Sequence, residues 1–261
     1  MNIHFKDENL FEQLMKSSLF QIEVGSSLYG LDTESSDKDI LIIYAEGISN
    51  QKSFLWEHHQ LQYKKDNIDY IFTTLPLFIR NWMSGDSTIN FEVLFSEKLG
   101  SDENMNFLSR NKDRYYTYNI MKSYLGFAKR DLKTIRKNET ENPNLYKKIA
   151  HFLRGVETVT RIRNKNYSND FSHLKDIKLG KRLGVNTLIE EHENTMIQLR
   201  KEINEELNNQ KISKFMKCEE LREFDEDCIE FYSSEFYKEK ELEIIDYGDL
   251  LYEVLSSGIS Y

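Results

Sequence analysis

The chain has 261 residues, 39% of them hydrophobic and 30% charged, with only two prolines. That is too apolar for a disordered segment and long enough for one large domain or two ordinary ones. Thirty-five basic against 44 acidic side chains leave a net charge of −9, which excludes a uniformly basic coat for nucleic acid, though not a local basic patch.

Cys218 and Cys228 are the only cysteines, too few for a disulfide framework or a four-cysteine zinc site. No apolar run approaches membrane-spanning length. The opening MNIHFKDENL has acidic residues where a secretion signal carries an apolar core. No membrane association and a cytoplasmic, reducing location are therefore expected.

Taken in chain order, the first third reads as mixed α and β. Leu10, Phe11, Leu14 and Met15 form one helical stripe over 8–18, and Phe20 to Val24 is a short strand ended by Gly25. Ile40 to Tyr44 is β-branched and apolar enough for a central strand, and Ile68 to Thr73 alternates as another. The polar stretch between them, containing EHHQ, is a hairpin excursion or loop. A helical pattern resumes at 75–83, and Ile89 to Phe95 fits either a short helix or a buried strand.

From Tyr115 the texture becomes helical. One stripe runs through Tyr118, Met121, Leu125, Ala128 and Leu132, and a second through Ile149, Phe152, Leu153 and Val156. Residues 164–174 form a polar loop. Further helices are expected over 186–208 and 211–231, with a short final one over ELEIIDYGDLLYEVLSSG. A boundary near residue 110 divides 1–110 from a helical 111–261. Charge is banded across it: residues 111–182 carry 18 basic and 7 acidic side chains, a net +11, between acidic flanks. Such a band either faces an anionic substrate or is neutralised by its acidic neighbours in the fold.

The informative segment is GSSLYGLDTESSDKD, residues 25–39. A tight turn at Gly25 after a strand can feed a helix N-terminus, whose exposed backbone N–H groups and the Ser26 hydroxyl can hold a phosphate oxygen. Gly30 removes a side chain where a bound group or the next segment comes close. Asp37 and Asp39, two residues apart, share one face of a strand. Adjacent carboxylates repel unless a cation neutralises them, and oxygen ligands facing phosphate suit Mg²⁺. Asp69 opens the next strand-like run. If those strands pair, three carboxylates can hold two ions about 3.5–4 Å apart, with Asp69 as base or through the metal.

Gly25, Ser26, Gly30, Ser36, Asp37, Asp39 and the downstream Asp69 together resemble the signature of the DNA polymerase β-type nucleotidyltransferase superfamily. Three later stretches are similar to its RNA-repair-associated, RlaP-type branch: GDSTINFEVLFS at 85–96, YNIMKSYLGFAKRDL at 118–132 and KKIAHFLRGVE at 147–157. The resemblance implies an α+β fold, with a small mixed palm-like sheet bearing the acids and a mainly helical part binding nucleotide or acceptor. It implies transfer of a nucleoside monophosphate from a nucleoside triphosphate (NTP), with Mg²⁺ or Mn²⁺ as cofactor and release of pyrophosphate. An RNA 3′ end, of a tRNA or a repair substrate, is the preferred acceptor. A protein hydroxyl, as in nucleotidylylating (AMPylating) enzymes, is the rival, and a catalytically silent interaction protein on the same fold is a third reading.

In the helical part Lys147, His151 and Arg154 follow at spacings of four and three and share a helix face. They form either a cationic ridge gripping triphosphate, Arg154 bidentately, or a solvated surface. Two basic runs, one of Lys129, Arg130, Lys133, Arg136 and Lys137 and one of Lys175, Lys178, Lys181 and Arg182, suit the phosphates of a polynucleotide. Tyr115, Tyr116, Tyr118 and Tyr124 are either stacking platforms or core tyrosines. Glu57, His58 and His59 suggest a metal cluster by composition alone. EELREFDEDCIE, residues 219–230, resembles a calcium loop without its glycine or its spacing.

Overall fold

The computed structural model describes residues 2–34, 36–45, 60–85, 87–110, 112–137, 144–215 and 218–240. Strands β1 (Asn2–His4), β2 (Ser18–Val24), β3 (Lys38–Tyr44), β4 (Gln60–Lys65) and β5 (Ile68–Thr74) form one mixed sheet in the order β1-β4-β5-β3-β2. β3 runs parallel to β5 and antiparallel to β2, and β4 pairs antiparallel with β5. The helices are α1 (Glu8–Lys16), α2 (Leu75–Met83), α3 (Thr88–Leu94), α4 (Glu97–Gly100), α5 (Tyr118–Lys137), α6 (Leu145–Arg163), α7 (Lys175–Lys178), α8 (Val185–Asn208), α9 (Cys218–Ser233) and α10 (Glu235–Lys240). The protein is thus α+β, a small mixed sheet followed by a mainly helical part.

The pleat decides what each face of the sheet does. Ile42, Tyr44 and Phe72 point to one side, where they pack with Leu10, Phe11 and Leu14 of α1. That helix starts at Asp7, whose carboxylate accepts the Leu10 N–H at 3.0 Å. Leu41 and Ile43 point to the opposite side, with Phe20, Ile22 and Val24 beside them. They belong to a second core that continues without interruption through α2, α3, α5, α6 and α8. The register sets Val24 opposite Asp39 and Asp39 opposite Asp69. Both acids therefore lie at one end of the face that looks toward the helices.

The stretch left open as hairpin or loop is a hairpin in its described half. β4 and β5 turn at Asp66 and Asn67, both at positive φ (50° and 61°), as a two-residue hairpin turn requires. Residues 89–95, open between helix and strand, are helical as α3. Ser87 caps it, its hydroxyl accepting the Asn90 N–H at 3.3 Å. α5 and α6 pack closely because Gly155 has no side chain: a Cβ there would stand 3.1 Å from that of Ala128. Residues 219–230 lie within α9, so their acidic composition belongs to a helix and not to a calcium loop. Glu57, His58, His59 and the proposed final helix lie outside the described residues.

Candidate active site

A cleft of about 1000 Å³ opens where the acid-bearing end of the sheet meets α5, α6 and α7. The turn after β2 supplies Gly25, Ser26, Tyr29, Thr33 and Ser36 to its wall, and the start of β3 supplies Asp39. Asp37 enters from the residue just before that strand and not from the strand face that the spacing predicts. Facing them are Ser123, Phe127 and Arg130 of α5, Lys147, Lys148, His151 and Arg154 of α6, and Lys178 of α7. Two carboxylates and four exposed or half-buried cations thus share one cavity with a glycine turn.

The turn is built by short hydrogen-bonded steps. Gly25 has φ +75°, and a Cβ on it would meet Asp39 Oδ2 at 3.2 Å, so a side chain here would both strain the backbone and press on the carboxylate. The Ser26 carbonyl accepts the N–H groups of Tyr29 (3.3 Å) and Leu31 (2.8 Å), closing a single 3-10 turn over Ser27–Tyr29. This is tighter and shorter than the helix N-terminus the sequence suggests. Gly30, at φ +68°, closes it against Ser172, so it makes room for the next segment and does not line the cleft. Ser36 Oγ accepts the Thr33 N–H (2.9 Å) and stands 3.4 Å from Lys178 Nζ, which also donates to the Leu31 carbonyl (2.7 Å). Ser36 and Lys178 therefore tie the loop to α7 at the mouth of the cleft.

Asp39 is half-buried. Burial first, then the neighbouring carboxylates of Asp69 and Asp37, push its pKa above the ordinary carboxylate value, against the opposing pull of Lys147 and Lys64. Neither the Asp37 nor the Asp39 carboxylate has a hydrogen-bond or ion-pair partner among the described residues. Asp69 lies beside Asp39 on β5, where Lys64 Nζ stands 3.4 Å from its Oδ2, and it does not line the cleft. Among the described residues no group of three or more His, Cys, Asp or Glu side chains is gathered closely enough to hold a metal ion. The expected three-acid cage is therefore not gathered: Asp37 and Asp39 line the cleft, and Asp69 stands beside Asp39 with Lys64 next to it. Unpartnered carboxylates that repel one another, with anion-binding cations opposite, fit a hard divalent cation in donor type and charge.

The ridge expected on α6 is divided by the structure. Lys147 is exposed at its solvent end. Lys148 Nζ donates to the buried Asp131 at 3.0 Å. His151 is uncharged: burial, with Arg154, Lys147, Lys148 and Lys178 around it, pushes its pKa down to about 3. Its imidazole should show no titration between pH 5 and 8 when followed by NMR, whereas a midpoint near 6.5 would place it in solvent. Arg154 is not the free phosphate clamp expected. It is 5% exposed, and its Nη1 donates to Glu92 Oε1 at 2.5 Å. Its positive charge is matched inside the protein.

One residue of this region is not among the sequence candidates. Glu92 of α3, fully buried, accepts from Arg154, from the Tyr29 hydroxyl (2.5 Å) and from the Tyr124 hydroxyl (2.7 Å). The one hint is an acidic residue inside the apolar run NFEVLF. Tyr115 and Tyr124 are core tyrosines and not stacking platforms, while Tyr118 reaches the surface and bonds Asn204. From the basic runs, Arg130 and Lys178 enter the cleft, and Arg136 is ion-paired with Glu193.

A sheet with paired acids at one end, a glycine turn beside them and helices closing over a cationic cleft defines the polymerase β-type nucleotidyltransferases. The profile of the RNA repair pathway DNA polymerase beta family, RlaP, matches residues 6–231, from the start of the first helix to the last turn of α9. The chain belongs to that family. Comparisons with curated proteins and with solved structures gave no match. No helix among the described residues is long and apolar enough to cross a membrane.

Proposed function

We propose that this chain transfers a nucleoside monophosphate from an NTP to a hydroxyl acceptor, preferably an RNA 3′ end, with release of pyrophosphate and dependence on Mg²⁺ or Mn²⁺. The observation that carries this reading is the opposition, across one cleft, of Asp37 and Asp39 to Lys147, Lys148, Lys178 and Arg130. A triphosphate is the ligand whose charge suits the cationic wall, and the acid pair needs a cation between itself and that ligand. Asp37 and Asp39 would hold the ion. When bound, it would neutralise charge on the departing phosphates and lower the pKa of the attacking hydroxyl.

Asp69, in register with Asp39, is assigned the proton of the acceptor hydroxyl. Ser26 and the backbone at Gly25 are assigned the terminal phosphates, and Lys147 their charge. His151, neutral, offers hydrogen bonds without charge. In this reading residues 1–110 carry the chemistry, and the helical remainder supplies the opposing wall and the surface for the acceptor. The family description supports an RNA acceptor, as do the exposed Lys129, Lys133, Lys181 and Arg182, which neighbour Arg130 and Lys178 in sequence.

The test is incubation of the full chain with labelled NTPs, Mg²⁺ and a total cell extract, followed by nuclease or protease. Label removed by nuclease is the expected result. Label that survives nuclease but not protease moves the acceptor to protein. Absence of both label and released pyrophosphate with every nucleotide would leave only a silent binding protein.

A further inference from the structure

Tyr29 is the residue by which the cleft turn is anchored in the protein. Its hydroxyl reaches across to α3 and donates to Glu92 Oε2 at 2.5 Å. Its ring lies under the Arg154 guanidinium, 3.9 Å from ring centre to Cζ. Its carbonyl accepts the Phe171 N–H at 3.0 Å. Glu92 also accepts from Arg154 and from the Tyr124 hydroxyl, and Asn169 Nδ2 holds its backbone carbonyl at 2.8 Å. Arg154 Nε, also buried, has no hydrogen-bond partner among the described residues, so Glu92 is what neutralises this guanidinium. All four side chains are buried, in a setting where such bonds hold their geometry firmly.

The turn's other ties, from the Ser27 hydroxyl to the Val24 carbonyl (3.1 Å) and from Lys178 to the Leu31 carbonyl (2.7 Å), reach neither α3 nor α6. The turn is one 3-10 turn, and a Cβ on its first residue, Gly25, would meet Asp39 Oδ2 at 3.2 Å. A shift of Tyr29 is therefore passed through four residues to the acid pair. Sub-ångström errors in such placement are costly to group transfer.

We propose that Glu92, acting through Tyr29 and Arg154, is the positioning residue that fixes the 25–30 turn against Asp39. It touches neither nucleotide nor acceptor. The assignment rests on the nucleotidyltransferase reading only for the purpose the turn serves. Its mechanical part stands apart from that reading.

Tyr124 supplies the control. It donates to the same carboxylate from the middle of α5, a helix far from the turn in sequence. The experiment compares Tyr29→Phe with Tyr124→Phe in the full chain. Each loses one buried hydroxyl bonded to Glu92 and keeps its ring. Without nucleotide, exchange of the Tyr29 and Leu31 amides is expected to accelerate about fivefold or more in Tyr29→Phe, and to stay near wild type in Tyr124→Phe. With Mg²⁺ and NTP, kcat for transfer is expected to fall roughly tenfold or more in Tyr29→Phe and to change little in Tyr124→Phe.

Arg154→Lys keeps a positive charge for Glu92 but loses the flat stack on Tyr29, and it should show the same exchange signature more weakly. Equal effects of the two phenylalanine substitutions, or effects that merely follow the loss of global stability, would reduce Glu92 to a buried brace and overturn the proposal. If the wild type transfers no nucleotide, the proposed function fails, while the exchange comparison still decides whether Glu92 positions the turn.

Discussion

Replacing Asp39 by asparagine is expected to lower nucleotidyl transfer on the order of a thousandfold while leaving the metal-free protein more stable than the wild type at neutral pH. The two effects share one cause. Asp39 is half-buried, next to Asp69 and Asp37 and without a hydrogen-bond partner among the described residues, and its pKa is raised by burial first and by those two carboxylates second. A folded carboxyl that keeps its proton to higher pH than an unfolded one makes the folded state lose stability as pH rises from the ordinary carboxylate value through the raised one.

At neutral pH the wild type carries that penalty in full, and asparagine carries none. Melting curves without divalent metal should therefore place Asp39→Asn above the wild type at pH 7, and the gap should close as pH falls below the ordinary carboxylate value. Added Mg²⁺ should raise the melting temperature of the wild type, by mass action on the folded state, and leave the variant nearly unmoved. Transfer at more than a tenth of the wild-type rate, or a variant melting below the wild type at pH 7, would remove Asp39 from its assigned place.

Where one face of an element is buried and the other wet, its sequence displays it. β2 and β5 are legible as a short apolar run and as alternation, and β3, buried on both faces from Leu41 to Tyr44, as a β-branched run. α1, α2, α5, α6 and α8 are legible from helical patterns that fall within the observed helices or close to their ends. Two elements escape this rule for opposite reasons. In α3 every residue from Asn90 to Leu94 is buried, so no periodicity survives to separate helix from strand. In β4 only Leu61 is buried, and QLQYKK sits in a polar stretch whose sequence leaves hairpin and loop open.

The acid pair and the glycine turn are legible because they depend on local spacing. The third acid is legible only as a residue on a neighbouring strand, since its tie to Lys64 follows from the β4–β5 register. The α6 ridge shows a further limit. Lys147 and Arg154 share a helix face, but the helix runs from solvent into the core, so one is exposed and the other buried against a carboxylate 62 residues earlier. No spacing rule along one helix reports a partner on another.

That ion pair carries the largest expected effect on stability. Glu92→Ala should destabilise the protein by about 3–5 kcal/mol, because it leaves the Arg154 charge buried without its counter-ion and strips the Tyr29 and Tyr124 hydroxyls of their shared acceptor. For a chain of this size the melting temperature should fall by roughly 6–20 °C. Urea unfolding followed through the buried Trp82 would measure the loss. The energy lies in the abandoned charge more than in the attraction itself, so removing both ions should be milder than removing one. Glu92→Leu with Arg154→Met is expected to be more stable than Glu92→Leu alone, though still below the wild type, since the Tyr29 hydroxyl loses its acceptor and Tyr124 keeps only the Thr88 carbonyl at 3.4 Å. Strict additivity of the two substitutions, or a Glu92→Ala loss under about 1 kcal/mol, would mean that water reaches the guanidinium and the cluster is not the sealed joint between the sheet-end turn and the helices. With Asp39→Asn, the chain would then separate its two kinds of carboxylate: one whose removal stabilises the fold and silences the chemistry, and one whose removal loosens the frame in which that chemistry is held.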